Sequence, residues 1–441
     1  MSNGTSSPGE RTALLSESRS FQGLSPHPQT EHGDHHHHPK DNRVWVQWPR
    51  TVMRLAWLTM VRDYVNVFLI FAPLGIIAGA LHWDSTAVFV LNFLAIIPLA
   101  SMLSFATEEL AATMGQALGG LMNATFGNAV ELIVSIIALK GNQIRVVQAS
   151  MLGSILSNIL LVLGCCFFVG GLRYSEQTFN STVASTMSSL MAVASASLII
   201  PATLYAVLSQ SNQNAQANIL ILSHGTAIIL LILYVMYLYF QLRSHAQLFE
   251  EANSDIENTT GAEEEGEERL LSPWAATVVL VIVTILVAIC ADYLVGSIDS
   301  LVQKTGMSKT FIGLVLIPIV GNAAEHVTAV VVAYKDKMDL AIGVAIGSSL
   351  QIALFVTPFL VVLGWVMNIE MTLHFQLFET VAFFISGLVV TLLIQDGKSN
   401  YLEGGMCLGM YLILALAFYI YPDGVGEGVG EGVGILSKLL N

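Results

Sequence analysis

Gly127-Asn128-Ala129-Val130-Glu131 and Gly321-Asn322-Ala323-Ala324-Glu325 are near-identical stretches, and both lie inside long apolar segments. A Gly-Ser pair follows each at the same distance, Gly153-Ser154 and Gly347-Ser348, 26 residues after the first glycine. One offset of 194 residues relates both pairs. The chain therefore carries two copies of one membrane element, each with a glutamate at a depth where lipid would forbid it. A carboxylate within a bilayer is costly and faces a polar cavity, so it marks a functional site. Two of them at repeat-related positions predict a single shared cation site.

Working outward, composition leaves one class. Hydrophobic residues make up 54% of the 441-residue chain and charged residues 11%, with a mean hydropathy of +0.67. A soluble domain carries about a quarter charged residues. The apolar residues come in runs of about 20, the length at which a helix crosses a hydrocarbon core of roughly 30 Å. The chain reads as an all-α polytopic membrane protein. Its net charge of −14 comes largely from one loop and identifies no partner. Cys165, Cys166, Cys290 and Cys407 lie in apolar runs without CxxC or Cys/His spacing, so they read as small buried hydrophobes rather than disulfides or zinc ligands.

Eleven transmembrane helices can be drawn, at about 65–82, 86–104, 107–139, 144–171, 181–208, 216–241, 273–295, 308–334, 339–364, 372–394 and 403–421. The motif-bearing spans 107–139 and 308–334 are longer than one crossing needs and contain glycine, which allows tilt or a broken helix, and Pro318 before the second motif points to the same irregularity on that side. With the N-terminus in the cytosol, 13 Lys and Arg fall on the cytosolic side and 5 on the other, which fixes that orientation and places the C-terminus in the lumen. The motifs lie five crossings apart, so their helices run in opposite directions. The expected organisation is a disordered cytosolic tail over 1–62, one extra N-terminal helix over 63–85, and two inverted five-helix repeats over 86–241 and 273–421. An acidic loop over 242–272 separates the repeats and a low-complexity tail over 422–441 follows. Inverted repeats around a midplane site are the architecture of secondary transporters.

The outlying segments carry weaker signals. No cleavable signal peptide opens the chain, since residues 1–62 hold no apolar core. Glu10-Arg11-Thr12-Ala13-Leu14-Leu15 has the form of an acidic dileucine signal for a sorting adaptor, and His35–His38, with His32 and Asp34, reads as a solvated tract. The loop acids from Glu250 to Glu268 form either a solvated linker or a strip that concentrates divalent cations at the cytosolic mouth.

The chemistry lies with Glu131 and Glu325. Glu131 is nine residues before Lys140 and Glu325 ten before Lys335, roughly 13 and 15 Å from the helix end at 1.5 Å per residue, so both reach the midplane. Two carboxylates close together in low dielectric repel when both are ionised, and are satisfied by binding protons or by sharing a divalent ion. Calcium takes six to eight hard oxygen ligands. Asn128 and Asn322 lie on the same helix faces as the glutamates, and Ser154, Ser157, Asn158, Ser348, Ser349 and Gln351 punctuate the partner helices. The expected ion set is Glu131, Glu325, Asn128, Asn322, Ser154, Ser348 and Gln351, with helix packing the competing role for Ser157, Asn158 and Ser349. No Cys or His cluster favours zinc or copper. Nothing structural requires the two acids, and no Lys or Arg within either span pairs with them. Glu108 and Glu109 read as interfacial, Asp292 and Glu379 as near enough to helix ends to reach water, and His224 as a hydrogen-bonded packing residue. His326, where the first repeat has Leu132, is expected either to relay protons or to serve as a structural hydrogen-bonding group. The site exchanges protons for a hard divalent ion, calcium with manganese as a second candidate. It needs no cofactor and no nucleic acid; its partners are those ions and the lipid bilayer. The sequence fixes no oligomeric state.

The paired motifs, with His326 after the second and an acidic loop between halves, resemble the cation/proton exchangers of the calcium/cation antiporter superfamily, and within it the fungal vacuolar calcium/proton branch. The resemblance covers roughly residues 62–421. It implies that Glu131 and Glu325 bind calcium or protons in turn, that His326 marks the proton-coupled branch, that the strip over 250–268 is a cytosolic acidic helix, and that calcium moves from the cytosol into an acidic vacuole. The competing readings are a sodium-coupled calcium exchanger, an intramembrane metal-dependent hydrolase and a calcium channel. Only two acids at span centres, a lone His326 and the inverted symmetry weigh against the first two.

Overall fold

Apolar runs separated by short polar turns fold into a helical bundle in a computed structural model that describes residues 64–114, 116–208, 215–249 and 272–421. Helix α1 (Phe71–Ala80) follows a 3-10 turn at Tyr64–Ile70. Then come α2 (Ser85–Ala111), α3 (Gln116–Phe126), α4 (Ala129–Lys140), α5 (Ile144–Arg173), α6 (Ser181–Leu208) and α7 (Ala215–Tyr239). From residue 273 onward come α8 (Pro273–Thr305), α9 (Lys309–Gly321), α10 (Ala323–Tyr334), α11 (Met338–Val366), α12 (Leu377–Leu393) and α13 (Tyr401–Ile420). Among the described residues, seven helices are long and apolar enough to cross a bilayer, or eight if the bent pair α9/α10 is one span; Asn66–Ala80 and Leu377–Leu393 are shorter apolar helices.

The predicted irregularity of the motif spans is present in both. Span 107–139 divides: α2 runs on to Ala111, beyond its predicted end at 104, and α3 and α4 meet at Gly127-Asn128. The second span bends by 59° at Asn322, between α9 and α10. Pro318 does not itself make this break; it lies inside α9, in the first turn after a π-helical stretch at Ile312–Leu316, where a missing N–H is tolerated.

The core is built on α5 and α11, each 72% buried over its most apolar window, against 28–50% for the other long spans. Both carry a π-helical turn at related positions, Ser157–Val162 in α5 and Ile352–Val356 in α11. Helix α5 presses directly on α9: a Cβ at Gly153 would sit 2.1 Å from the Leu314 carbonyl oxygen, so only glycine allows the contact. The outer helices keep an apolar outer face. Ile228, Ile229, Ile232, Val235 and Met236 of α7 are all exposed, a stripe suited to lipid and not to water.

Turns meet in two groups. In one, Lys304 of α8 pairs with Asp84 before α2, Gln143 and Lys309 reach Asp299 at 2.8 and 2.5 Å, and Gln148 donates to the Thr372 and His374 carbonyls at 3.0 and 3.1 Å. In the other, Gln177 donates to Asp336 at 2.8 Å, the Asn180 amide donates to Asp339 at 2.7 Å, and strands β1 (Gln177–Thr178) and β2 (Lys398–Ser399) pair antiparallel. Glu176 and Lys398 close that second group at 2.7 Å.

Two sequence readings change here. Glu379 does not reach water: it is 0% exposed and holds Arg145 at 2.6 Å, while capping its own helix by accepting from the Gln376 amide. His224 packs as expected, stacked on Trp365 with ring centroids 4.4 Å apart, but its buried Nε2 has no hydrogen-bond partner. The four cysteines are free, three buried and Cys165 partly so. Residues 1–63, the acidic strip Glu250–Glu268 and the tail from 422 lie outside the described residues, and with them Glu10–Leu15 and His35–His38.

Candidate ion site at the helix breaks

Each break creates a helix N-terminus inside the bundle, and each motif glutamate lies in the first turn of the new helix, Glu131 in α4 and Glu325 in α10. The positive end of the helix dipole and its free amides favour an anion at that position. Asn128 and Asn322 occupy the N-cap positions, where an Asn side chain normally accepts a bond from the next turn. Neither does so here. Their side chains are left for the interior instead.

The destinations differ between the halves. Asn128 donates through Nδ2 to Gln351 Oε1 of α11 at 2.5 Å, and its Oδ1 has no partner. Asn322, 0% exposed, has neither Oδ1 nor Nδ2 partnered. Gln351 has Ser157 as its counterpart at the 194-residue offset, and Ser157 Oγ lies 3.4 Å from His326 Nε2. Ser348 donates to Glu325 Oε2 at 2.9 Å, whereas both oxygens of Glu131 are buried without a partner.

The two motifs interlock through their glycines. A Cβ on Gly321 would lie 2.8 Å from Glu131 Oε1, and one on Gly127 would lie 3.7 Å from Glu325 Oε1. Each carboxylate thus rests against the first residue of the other motif. Ser154 lines the same pocket as Glu131 and Gly321.

The structure therefore gathers Glu131, Ser154 and Gly321 around one pocket, links Asn128 to Gln351 and Ser348 to Glu325, and sets His326 beside Ser157. Among the described residues no cluster of three or more His, Cys, Asp or Glu could hold a metal. An ion here would be held by two carboxylates with amide, hydroxyl and backbone oxygens, a hard donor set suited to calcium. The buried oxygens of Glu131, Asn128 and Asn322 that lack partners fit such a cation, since a buried polar atom without one is costly. Sequence reasoning missed the Arg145–Glu379 pair and the Asp299 cluster; residues that distant in sequence show no spacing that could reveal them.

The profile of the sodium/calcium exchanger protein family matches residues 84–243 and 275–420, which together contain both motifs. The vacuolar calcium ion transporter of Schizosaccharomyces pombe is 52% identical over 372 residues, 84% of this chain and 88% of that protein. A Ca(2+)/H(+) antiporter of Aphanothece halophytica is 44% identical over 359 residues, 80% of this chain and 95% of that one. Among solved structures, native YfkE superposes with a TM-score of 0.67 at 40% identity, covering 80% of this chain and all of the other. On these matches the chain belongs to the sodium/calcium exchanger protein family.

Proposed function

We propose that this protein is a calcium/proton antiporter of a vacuolar membrane, moving cytosolic calcium inward as lumenal protons leave. The observation that carries this reading is the pair of interior carboxylates at facing helix N-termini, surrounded by oxygens without partners. Glu131, Glu325, Asn128, Asn322, Ser154, Ser348 and Gln351 hold the calcium ion in one loading state. Protons replace it on the carboxylates in the other, because two ionised carboxylates at such a site need a cation between them. His326, against Ser157, tunes the second carboxylate or passes protons to it. The relatives named as a vacuolar calcium transporter and a calcium/proton antiporter support the cargo, the counter-ion and the membrane. They also favour protons over sodium as the driving ion.

The architecture belongs to the same proposal. Eleven spans result when the seven long helices, the bent α9/α10 pair, the α3/α4 pair and the two shorter apolar helices each count as crossings. Helix α4 ends among the turns grouped with Gln143, and α10 ends among those grouped with Asp336, which supports opposite directions and two inverted repeats behind one extra helix. The excess of basic residues supports a cytosolic N-terminus and a lumenal C-terminus. Access alternates when packing at one group of turns opens while the other stays closed.

Sealed vesicles containing only the purified protein, acid inside and free of sodium, test the function. Calcium uptake that collapses with the pH gradient is expected, together with its loss in Glu131→Gln and Glu325→Gln. Uptake indifferent to the gradient, or robust transport by either variant, would overturn the proposal.

A further inference from the structure

The geometry points to a second, transit position for a largely dehydrated calcium ion between Glu131 and the lumenal turn at Gly141–Gln143, held by the hydroxyls of Ser135 and Ser150. It rests on the transport reading above and adds a subsite to it. Ser135 lies one turn beyond Glu131 on α4, and Ser150 one turn before Ser154 on α5. All four line one pocket, faced by Phe93 of α2 and Leu294 of α8. Ser135 is 1% exposed and its Oγ has no partner, as have both oxygens of Glu131. Ser150 is 3% exposed and donates to the Val147 carbonyl at 3.0 Å, which leaves its lone pairs for a ligand.

Direction follows from the helices. Helix α4 runs from Glu131 to its end at Lys140 and α5 starts at Ile144, so both hydroxyls lie between the site and the turn where Gln143 meets Asp299 and Lys309. Ser135 is about 7 Å from that helix end and Glu131 about 13 Å, by helix rise. An ion leaving Glu131 toward this face passes the two hydroxyls next. Neutral hydroxyl oxygens are acceptable ligands to a hard cation.

The repeat makes the pair informative. At the 194-residue offset Ser135 becomes Ala329 and Ser150 becomes Val344. The corresponding route from Glu325 thus lacks both hydroxyls, so they are not a requirement of the shared helix packing. Placed on one side only, they lower the barrier for release to the lumen and give the exchanger unequal affinities at its two faces.

Vesicles with the cytosolic face outward test the subsite. External calcium reads the cytosolic KM during uptake, and calcium-loaded vesicles with an alkaline interior read the lumenal KM during reverse exchange. Ser135→Ala with Ser150→Val, the residues of the other repeat, is expected to raise the lumenal KM about tenfold and leave the cytosolic KM within about twofold, as for a lost ion contact. Ser135→Thr with Ser150→Thr is expected to restore it. Unchanged KM at both faces would overturn the subsite, as would equal shifts at both faces that threonine fails to restore. Wild-type flux insensitive to the pH gradient would fault the antiport reading alone, since the sided KM comparison does not depend on the counter-ion.

Discussion

Gly321 and Asn322 show how much a single position can decide. A methyl group on Gly321 would occupy the place of Glu131 Oε1, 2.8 Å away, so Gly321→Ala must displace the carboxylate. The variant is expected to fold, with a size-exclusion profile like the wild type, and to lose at least tenfold in calcium uptake rate. Asn322 sits at an N-cap without capping. Replacing a capping Asn by Ala costs about 0.5–2 kcal/mol of stability. Asn322→Ala is therefore expected to leave the melting temperature nearly unchanged while weakening calcium binding about tenfold, roughly the value of one ion contact. A large thermal destabilisation with intact binding would show that the side chain is structural.

At the scale of elements, the start of α5 is tied to α12 and α9 by one cluster: Arg145 binds Glu379 at 2.6 Å and donates to Thr310 at 3.2 Å. Its counterpart at the other group of turns is weaker, an amide of Asn180 on Asp339. Removing one partner of a buried pair costs about 3–5 kcal/mol because the other charge is left uncompensated. With Arg145 a third exposed, Arg145→Ala is expected at the low end, about 3 kcal/mol, and Arg145→Ala with Glu379→Leu is expected to recover much of it in thermal melts. The exposed Asp84–Lys304 tie between the start of α2 and the end of α8 behaves differently. The Lys304 hydrogen bond holds the Asp84 carboxyl below the usual carboxylate range. Its folded value is depressed, so its stabilisation is present above the unfolded value of about 3.9 and disappears as pH falls through the folded one. Asp84→Asn is expected to melt below the wild type at pH 5–7, including the range of an acidic lumen, and to converge on it as pH falls through the folded value.

For the whole molecule, the proposed arrangement puts the two groups of turns on opposite sides of the membrane. The native cysteines are buried or partly buried, so they give little background to a water-soluble thiol reagent. Asn142→Cys is expected to label only from the lumen and Asp336→Cys only from the cytosol. Labelling of both from one side would dismantle the inverted arrangement while leaving the carboxylate chemistry intact.

The chain alone makes legible the membrane class, the paired motifs with a glutamate closing each, and spans too long and glycine-rich for one plain crossing. Apolar runs, repeat offset and helix rise are local or periodic properties, and they survive without knowledge of contacts. Packing, by contrast, sets each glutamate on the other motif's glycine, turns Asn128 to Gln351 while Asn322 stays unpartnered, and buries Glu379 against Arg145. Those outcomes depend on which faces of distant helices meet. Helix α5 meets α9 at Gly153, and α4 meets α11 through Asn128 and Gln351, contacts fixed by packing between segments that share no spacing in the chain.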